Sequence, residues 1–257
     1  MFSNLNKVIL FLILAIVFST ILLSLDYLLK IDYKDIIVEA HGLLMDIILF
    51  GIIITLYETL KSKKERIHNL EEQLEDFRQW EEPEATYRII GIFKRLKQLK
   101  VPSVDLSYCY LKNAYFDSKF DMKSVNFSHA RMQHSRLIDL DISNGELVGT
   151  NLEIATLSKV NLNNSNLETA CLNNARLLRN VNFSNANLKR AGLIDIVFGE
   201  SINLTNVELH DALVNQNFFE RLENSQVIGR EEIIKNYKIV RIGNDEKFSF
   251  RLKKESE

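Results

Sequence analysis

The sequence has little of what catalysis usually needs. Its 257 residues include two cysteines, five histidines, one tryptophan, nine glycines and two prolines. It has no Gly-rich phosphate loop, no Cys-x-x-Cys pair and no His-Glu-x-x-His, so the motifs that cradle a phosphate, bind a thiolate metal or build a zinc protease are missing. Ser128 beside His129 has no oriented third partner, and no two acids stand out as a general acid and base. Cys109 and Cys171 are two cysteines with no evident pairing, which suits a reducing compartment. The net charge is −2, which offers no basic track for nucleic-acid phosphates. The expectation is a protein that is not an enzyme and carries no cofactor or metal.

What the chain does have is rhythm. A large apolar residue recurs every fifth position from Met122 through Phe127, Met132, Leu137, Ile142, Leu147, Leu152, Leu157, Leu162, Leu167 and Leu172 to Leu177. Leu106, Leu111 and Phe116 precede this run. After one-residue slips the beat resumes at Phe183, Leu188, Leu193 and Phe198, and again at Leu204, Leu209 and Val214. A period of five fits neither a helix nor a flat strand. It implies a backbone that turns a corner every five residues and sends one large side chain to a common axis, which is a solenoid. Two residues before most beats the side chain is small, as at Cys109, Ala130, Ser135, Gly145, Ala155 and Ala170; Phe120, Leu140, Ile196 and Ile202 depart from this. A narrow coil needs small residues beside large ones to pack densely.

The units VNFSH, TNLEI, VNLNN, SNLET, VNFSN and ANLKR resemble those of the pentapeptide-repeat family over roughly residues 101–215. The resemblance implies an all-β right-handed quadrilateral β-helix. An independent count agrees. The residue before the beat gives the series Asp121, Asp141, Asn161, Asn182, Asn203 and the series Asp105, Asn126, Glu146, Asn166, Asn187, Glu208. The other two are Tyr110, Arg131, Asn151, Cys171, Gly192, Leu213 and Tyr115, Arg136, Thr156, Arg176, Val197. Steps of twenty or twenty-one mean four units per coil and four distinct faces. About five and a half coils at ~4.8 Å each make a rod ~26 Å long, whose ends require caps.

The N-terminal part, residues 1–60, is a different polymer. Val8–Leu25 is an uncharged apolar run long enough to span a bilayer, and no small-x-small cleavage site follows it. A second span runs from about Gly42 to Leu60 and is followed by Lys61, Lys63, Lys64 and Arg66. Asp26, Asp32, Asp35 and Glu39 lie between the spans, so the positive-inside rule gives a transmembrane hairpin with both ends in the cytoplasm. Asp46 is the ionisable group well inside a span: either it sits near the outer headgroups, or it serves a helix contact or ion path in an oligomer.

Residues 61–100 read as a helical linker and N-terminal cap. Leu60, Ile67, Leu70, Leu74 and Phe77 form a short heptad seam, suited to a coiled-coil dimer or to an intramolecular helical hairpin. Glu82-Pro83 ends the first helix; a second, about Glu84 to Leu99, is expected to lid the first coil, with Trp80 packed there. Residues 216–257 are expected to cap the far end, with helical pieces at 217–222 and 231–237 and a hairpin from strands at 237–242 and 247–252.

The resemblance also raises DNA mimicry, since some pentapeptide-repeat proteins imitate a duplex and occupy a topoisomerase. Residues 104–214 carry twelve acids against ten bases, too nearly balanced for mimicry. The two faces lacking acids are the informative ones. Tyr110, Tyr115, Arg131, Arg136, Ile138, Arg176, Leu178, Ile194 and Val197 are expected to point outward there, and Tyr and Arg are residue types that dominate interfaces. The bland alternative is a pair of Tyr–Arg stacks among scattered aliphatics. His129 and His134 are expected at the surface on adjacent faces, without a metal. The sequence therefore reads as a bacterial inner-membrane protein, multi-pass, whose cytoplasmic rod is a scaffold or sensor for an unidentified protein. A membrane-perturbing effector, oligomerising through residues 60–77 or the hairpin, is the alternative.

Overall fold

The computed structural model describes residues 9, 10, 13, 16–21, 24, 34–242 and 250–255. The chain divides into two compact units, 1–69 and 70–257. Helix α1 (Lys34–Phe77) contains the second expected span and runs on without a break as the linker helix. Within the first unit, Leu44, Ile48, Gly51, Ile52, Thr55 and Thr59 are wholly or partly covered, and helical spacing puts all six on one face. The hydroxyls of Thr55 and Thr59 donate to the carbonyls of Gly51 (2.8 Å) and Thr55 (2.7 Å), so neither presents a free donor to an apolar surround. The described residues between 9 and 24 are helical. The rest of the first expected span, the acidic segment at 25–33 and the turn at 243–249 lie outside the described residues.

In the second unit the solenoid is built by one local device. The backbone N–H of the small residue donates to the carbonyl of the preceding beat residue, as in Ala130 to Phe127 (2.8 Å), Thr150 to Leu147 (3.1 Å) and Ala170 to Leu167 (3.0 Å). The residue just before that donor has positive φ, from Tyr108 (57°) through Asn144 (56°) and Asn174 (58°) to Asp211 (62°). A type II corner demands that geometry and Asn or Asp tolerates it best. Each corner turns the next beat inward, and Leu106 to Leu188 are all no more than about 2% exposed at beat positions.

Successive coils pair in parallel in the register the four series require: Asp105↔Asn126↔Glu146↔Asn166↔Asn187↔Glu208 on one face and Tyr115↔Arg136↔Thr156↔Arg176↔Val197 on another. The latter face is a five-stranded parallel sheet spanning four turns: β1 (Tyr115–Phe116), β2 (Arg136–Asp141), β3 (Thr156–Asn161), β4 (Arg176–Asn182) and β5 (Val197–Asn203). All three slips, at 116–122, 177–183 and 198–204, fall where this sheet bends into the next face. At the second and third slips that corner is extended strand, in β4 and β5, and the extra residue enters β4 as a bulge, visible in the shifted register between Leu157 and Asn161. At the first slip it is taken up in a turn, where the Phe120 N–H donates to the Asp117 carbonyl (2.9 Å).

Both ends are closed. Helix α2 (Pro83–Gln98) buries Ala85, Ile89, Ile92, Phe93 and Leu96, with Phe93 stacked on Phe120 at 6.0 Å. Phe120 thus departs from the small-residue rule because it faces the lid. Thr86 and Lys97 donate to the first coil's carbonyls at Tyr110 (3.1 Å) and Pro102 (2.9 Å), and Arg78 bonds the Ser107 carbonyl. Leu70 and Leu74 are 4% and 3% exposed while Leu60 is 68% exposed, so the C-terminal half of the heptad seam is consumed inside the second unit. Trp80 is not buried in the lid; it stays 38% exposed and stacks on Phe77 at 5.5 Å, because the chain is already leaving the helix there.

At the far end each face receives its own stopper. Ile228 pairs with Asn203; the Tyr237 hydroxyl accepts from the Leu209 N–H (3.1 Å); Phe218, at the start of α3 (Phe218–Glu223), meets Phe198 at 6.1 Å. The fourth stopper is β8 (Phe250–Lys254), which lies antiparallel between β6 (Leu213–Val214) and β7 (Tyr237–Arg241). A short helix, α4 (Arg230–Asn236), leads into β7.

Two predictions follow from these features. Ile154 is β-branched, solvent-exposed and held at φ 57°, so Ile154→Asn should stabilise the fold by about 1 kcal/mol, read as a higher midpoint in thermal unfolding of the detergent-solubilised chain. The Lys253 ammonium, 2.7 Å from Asp211, holds that carboxyl below its ordinary range. Burial alone would raise the Glu208 carboxyl, but hydrogen bonds from Lys254 and Tyr237 outweigh it and leave it lowered. Stability from a depressed pKa is whole above the ordinary carboxylate value of about 4 and is lost as the pH falls through the folded value. Amide-exchange protection at Leu252 and Asp211, which form the β8 cap bonds, should therefore drop in acid before that of Leu157, and Lys253→Gln should shrink the difference.

Candidate functional site

The four faces spend their side chains differently. On the two faces bearing acids, Asn and Asp form ladders along the rod. The Asn126 amide donates to Asp105 (3.0 Å), that of Asn161 to Asp141 (3.1 Å), that of Asn182 to Asn161 (3.1 Å) and that of Asn187 to Asn166 (3.0 Å). The same Oδ1 atoms of Asn161 and Asn166 also accept backbone N–H groups two residues on. These polar groups are already paired within the rod, so their recurrence is explained by folding. The acid-free faces carry the groups left over.

The structure splits the expected partner residues between those two faces. Tyr115, Arg136, Ile138, Arg176, Leu178 and Val197 share the outer surface of the five-stranded sheet, with Tyr115 beside Arg136 and Arg176 beside Val197 in register. Tyr115, Leu178 and Val197 are 51%, 38% and 46% exposed; Arg136 and Arg176 are exposed and Ile138 is half-buried. Among the described residues neither arginine has an ion pair or a side-chain hydrogen bond. Gly199 is required beside this patch, since a Cβ there would lie 2.0 Å from the Leu178 carbonyl oxygen.

Tyr110 and Arg131 lie on the adjacent face, paired in register. No Tyr–Arg stack forms on either face among the described residues. Arg131 instead pairs with Glu81 from the connection between α1 and α2, and the Tyr110 carbonyl is occupied by Thr86. Ile194 corrects the expectation that it points to solvent. It is 6% exposed, because segment 215–221 crosses beside it, with the Asn215 side chain accepting from Asp195 N–H (2.7 Å) and Arg221 bonding the Ile196 carbonyl.

Where the α1–α2 connection meets the first coils there is a cleft of about 530 Å³ lined by Arg78, Glu81, Tyr108, Tyr110, His129 and Arg131, among others. Tyr108 stacks on His129 at 4.8 Å, and the next residue in that column is Gly149, where a Cβ would come within 2.5 Å of the imidazole. Sequence reasoning passed over Tyr108 because it occupies a variable slot; its place twenty-one residues before His129 was the available signal. His129 and His134 are both exposed, and no group of three metal-ligating side chains occurs among the described residues. Burial pushes the Cys109 thiol up to about 12 and the Cys171 thiol up as well, which leaves neither suited to thiolate chemistry at neutral pH.

Residues 135–174 match the family described as pentapeptide repeats, in eight copies. Among solved structures, the chain is similar to a pentapeptide repeat protein (Rfr23) from the cyanobacterium Cyanothece 51142, at 33% identity over 38% of this chain and 61% of that one, TM-score 0.33. It is similar to QnrB1, a plasmid-mediated fluoroquinolone resistance protein, at 16% identity over 41% and 60%, TM-score 0.26. It is also similar to a pentapeptide repeat protein from the Arabidopsis thaliana thylakoid lumen, at 24% identity over 36% and 63%, TM-score 0.26. The chain spans about three-fifths of the length of each of these structures. No curated protein matches it.

Proposed function

From a chain that carries a pentapeptide-repeat solenoid, we propose a bacterial inner-membrane protein whose cytoplasmic rod is an interaction scaffold or sensor and not an enzyme. In this reading residues 1–60 cross the bilayer twice, with both termini in the cytoplasm. Support for the membrane comes from the helical segment Gly42–Phe77, whose most apolar stretch has mean hydropathy 2.0 and is only 6% buried. A soluble core helix would be mostly covered. The observation that carries the scaffold reading is the outer surface of β1–β5: two free arginines among exposed Tyr115, Leu178 and Val197, on a rod whose other polar ladders satisfy themselves. Burying such a surface would bring Arg and aromatic anchors into an interface core.

The test is photo-crosslinking in living cells from positions 115 and 197. A discrete protein adduct is expected, falling at least about tenfold in the Arg136→Glu/Arg176→Glu variant, as loss of one or two anchors implies. Equal adducts in both proteins would remove this reading.

Asp46 supports a second reading, an oligomerising membrane effector. It is exposed on α1 among exposed Leu43, Met45, Ile47 and Leu49, and because a carboxyl in an apolar surround costs free energy, its presence there points to a use. Induced full-length protein should then depolarise cells and Asp46→Asn should not; unchanged membrane potential with both would count against the effector.

A further inference from the structure

The reading of α1 as a membrane span leaves the cations directly after it without a role beyond setting orientation. Lys61, Lys63, Lys64 and Arg66 begin at the residue after Leu60, and residues 61–66 are all exposed. Because α1 is one unbroken helix, a turn of 100° per residue places these four side chains at about 0°, 200°, 300° and 140° around its axis, within a rise of about 7.5 Å. They encircle the helix. A helix lying flat in the membrane surface would carry its cations in a stripe along one side. A ring suits a helix that stands through the bilayer, and its height matches the headgroup layer, roughly 5–7 Å on each side of the hydrocarbon.

Two neighbours sharpen the picture. Tyr57, one turn before Lys61, is 65% exposed, in the position of an interfacial aromatic anchor. Glu65 is the one acid between Thr59 and Leu70, and its contact with Lys61 is loose, at 3.9 Å with both side chains over 60% exposed. Glu58, exposed one turn before Lys61, is the other acid beside the ring. Four cations against these two acids leave a net positive charge of two, and the long stems reach along the apolar surface with the charged heads in the headgroup layer.

We propose that Lys61, Lys63, Lys64 and Arg66 form a collar that binds the phosphates of anionic phospholipids and gathers those lipids around the helix. A cation near an anionic membrane is worth about fivefold in binding, so several acting together select the anionic lipid from a mixed bilayer.

The experiment reconstitutes the full chain in vesicles of phosphatidylcholine with a minor fraction of phosphatidylglycerol. Polymer-bounded discs cut from these vesicles are then analysed for the lipids around the protein. Phosphatidylglycerol, at about one lipid in twenty in the bulk, should be enriched about fivefold around the protein, and the enrichment should fall with salt. It should be lost in the Lys61→Gln/Lys63→Gln/Lys64→Gln/Arg66→Gln variant. Equal lipid composition around both proteins would overturn the collar while leaving the span intact, provided both resist alkaline extraction. Release of the unaltered protein by alkaline extraction would overturn the span and the collar with it. Inorganic phosphate that displaces the lipid at matched ionic strength would assign the site to a free anion instead.

Discussion

The rest of the second unit depends on a single constraint: every five residues the chain must turn a corner and place an apolar side chain on the axis. The corner is held by one backbone hydrogen bond and one residue at positive φ. Each is weak alone, since a hydrogen bond contributes on the order of 1 kcal/mol net. Repetition makes them collective. Each coil supplies a complete row of donors and acceptors to the next, so the backbone groups of one turn are satisfied only when its neighbour has formed.

That arrangement creates the difficulty of its two ends, where a row of strand edges would otherwise invite pairing with another chain. The chain closes both with different means. At the start, a helix seals the apolar axis and the side chains of Arg78, Thr86 and Lys97 satisfy the exposed carbonyls. At the far end, four separate elements each stop one face, and Asp211 with Lys253 and Glu208 with Lys254 pin the last strand. The corner between the sheet and the next face behaves oppositely to the others. It takes up an additional residue three times, once in a turn and twice in extended strand.

Function, in this architecture, is what remains after folding has used its share of the surface. The Asn and Asp ladders are polar groups recruited to stability, and their regularity says nothing about a partner. Arg131, drawn to Glu81, is in part recruited too. Arg136 and Arg176, on the flat sheet with Tyr115 and Val197, are not. The first unit is similar: the hydroxyls of Thr55 and Thr59 bond back to their own helix, whereas Lys63, Lys64 and Arg66 stand exposed along it.

The sequence by itself determined the solenoid, its axis, its four faces and the register of every ladder, because the side-chain period and the backbone period are one and the same in such a coil. A residue five positions on meets the same local geometry, so spacing alone carries the information. It also marked the helix boundary at Pro83 and the long apolar helix, both of which are local properties. Tertiary structure decided what spacing cannot carry: that Ile194 is covered by segment 215–221, that Arg131 finds Glu81, that Trp80 stays outside the lid, and that the last strand enters antiparallel between two others. These depend on contacts between segments far apart in the chain, whose meeting is set by how the two caps pack against the ends of the coil and not by any period within it.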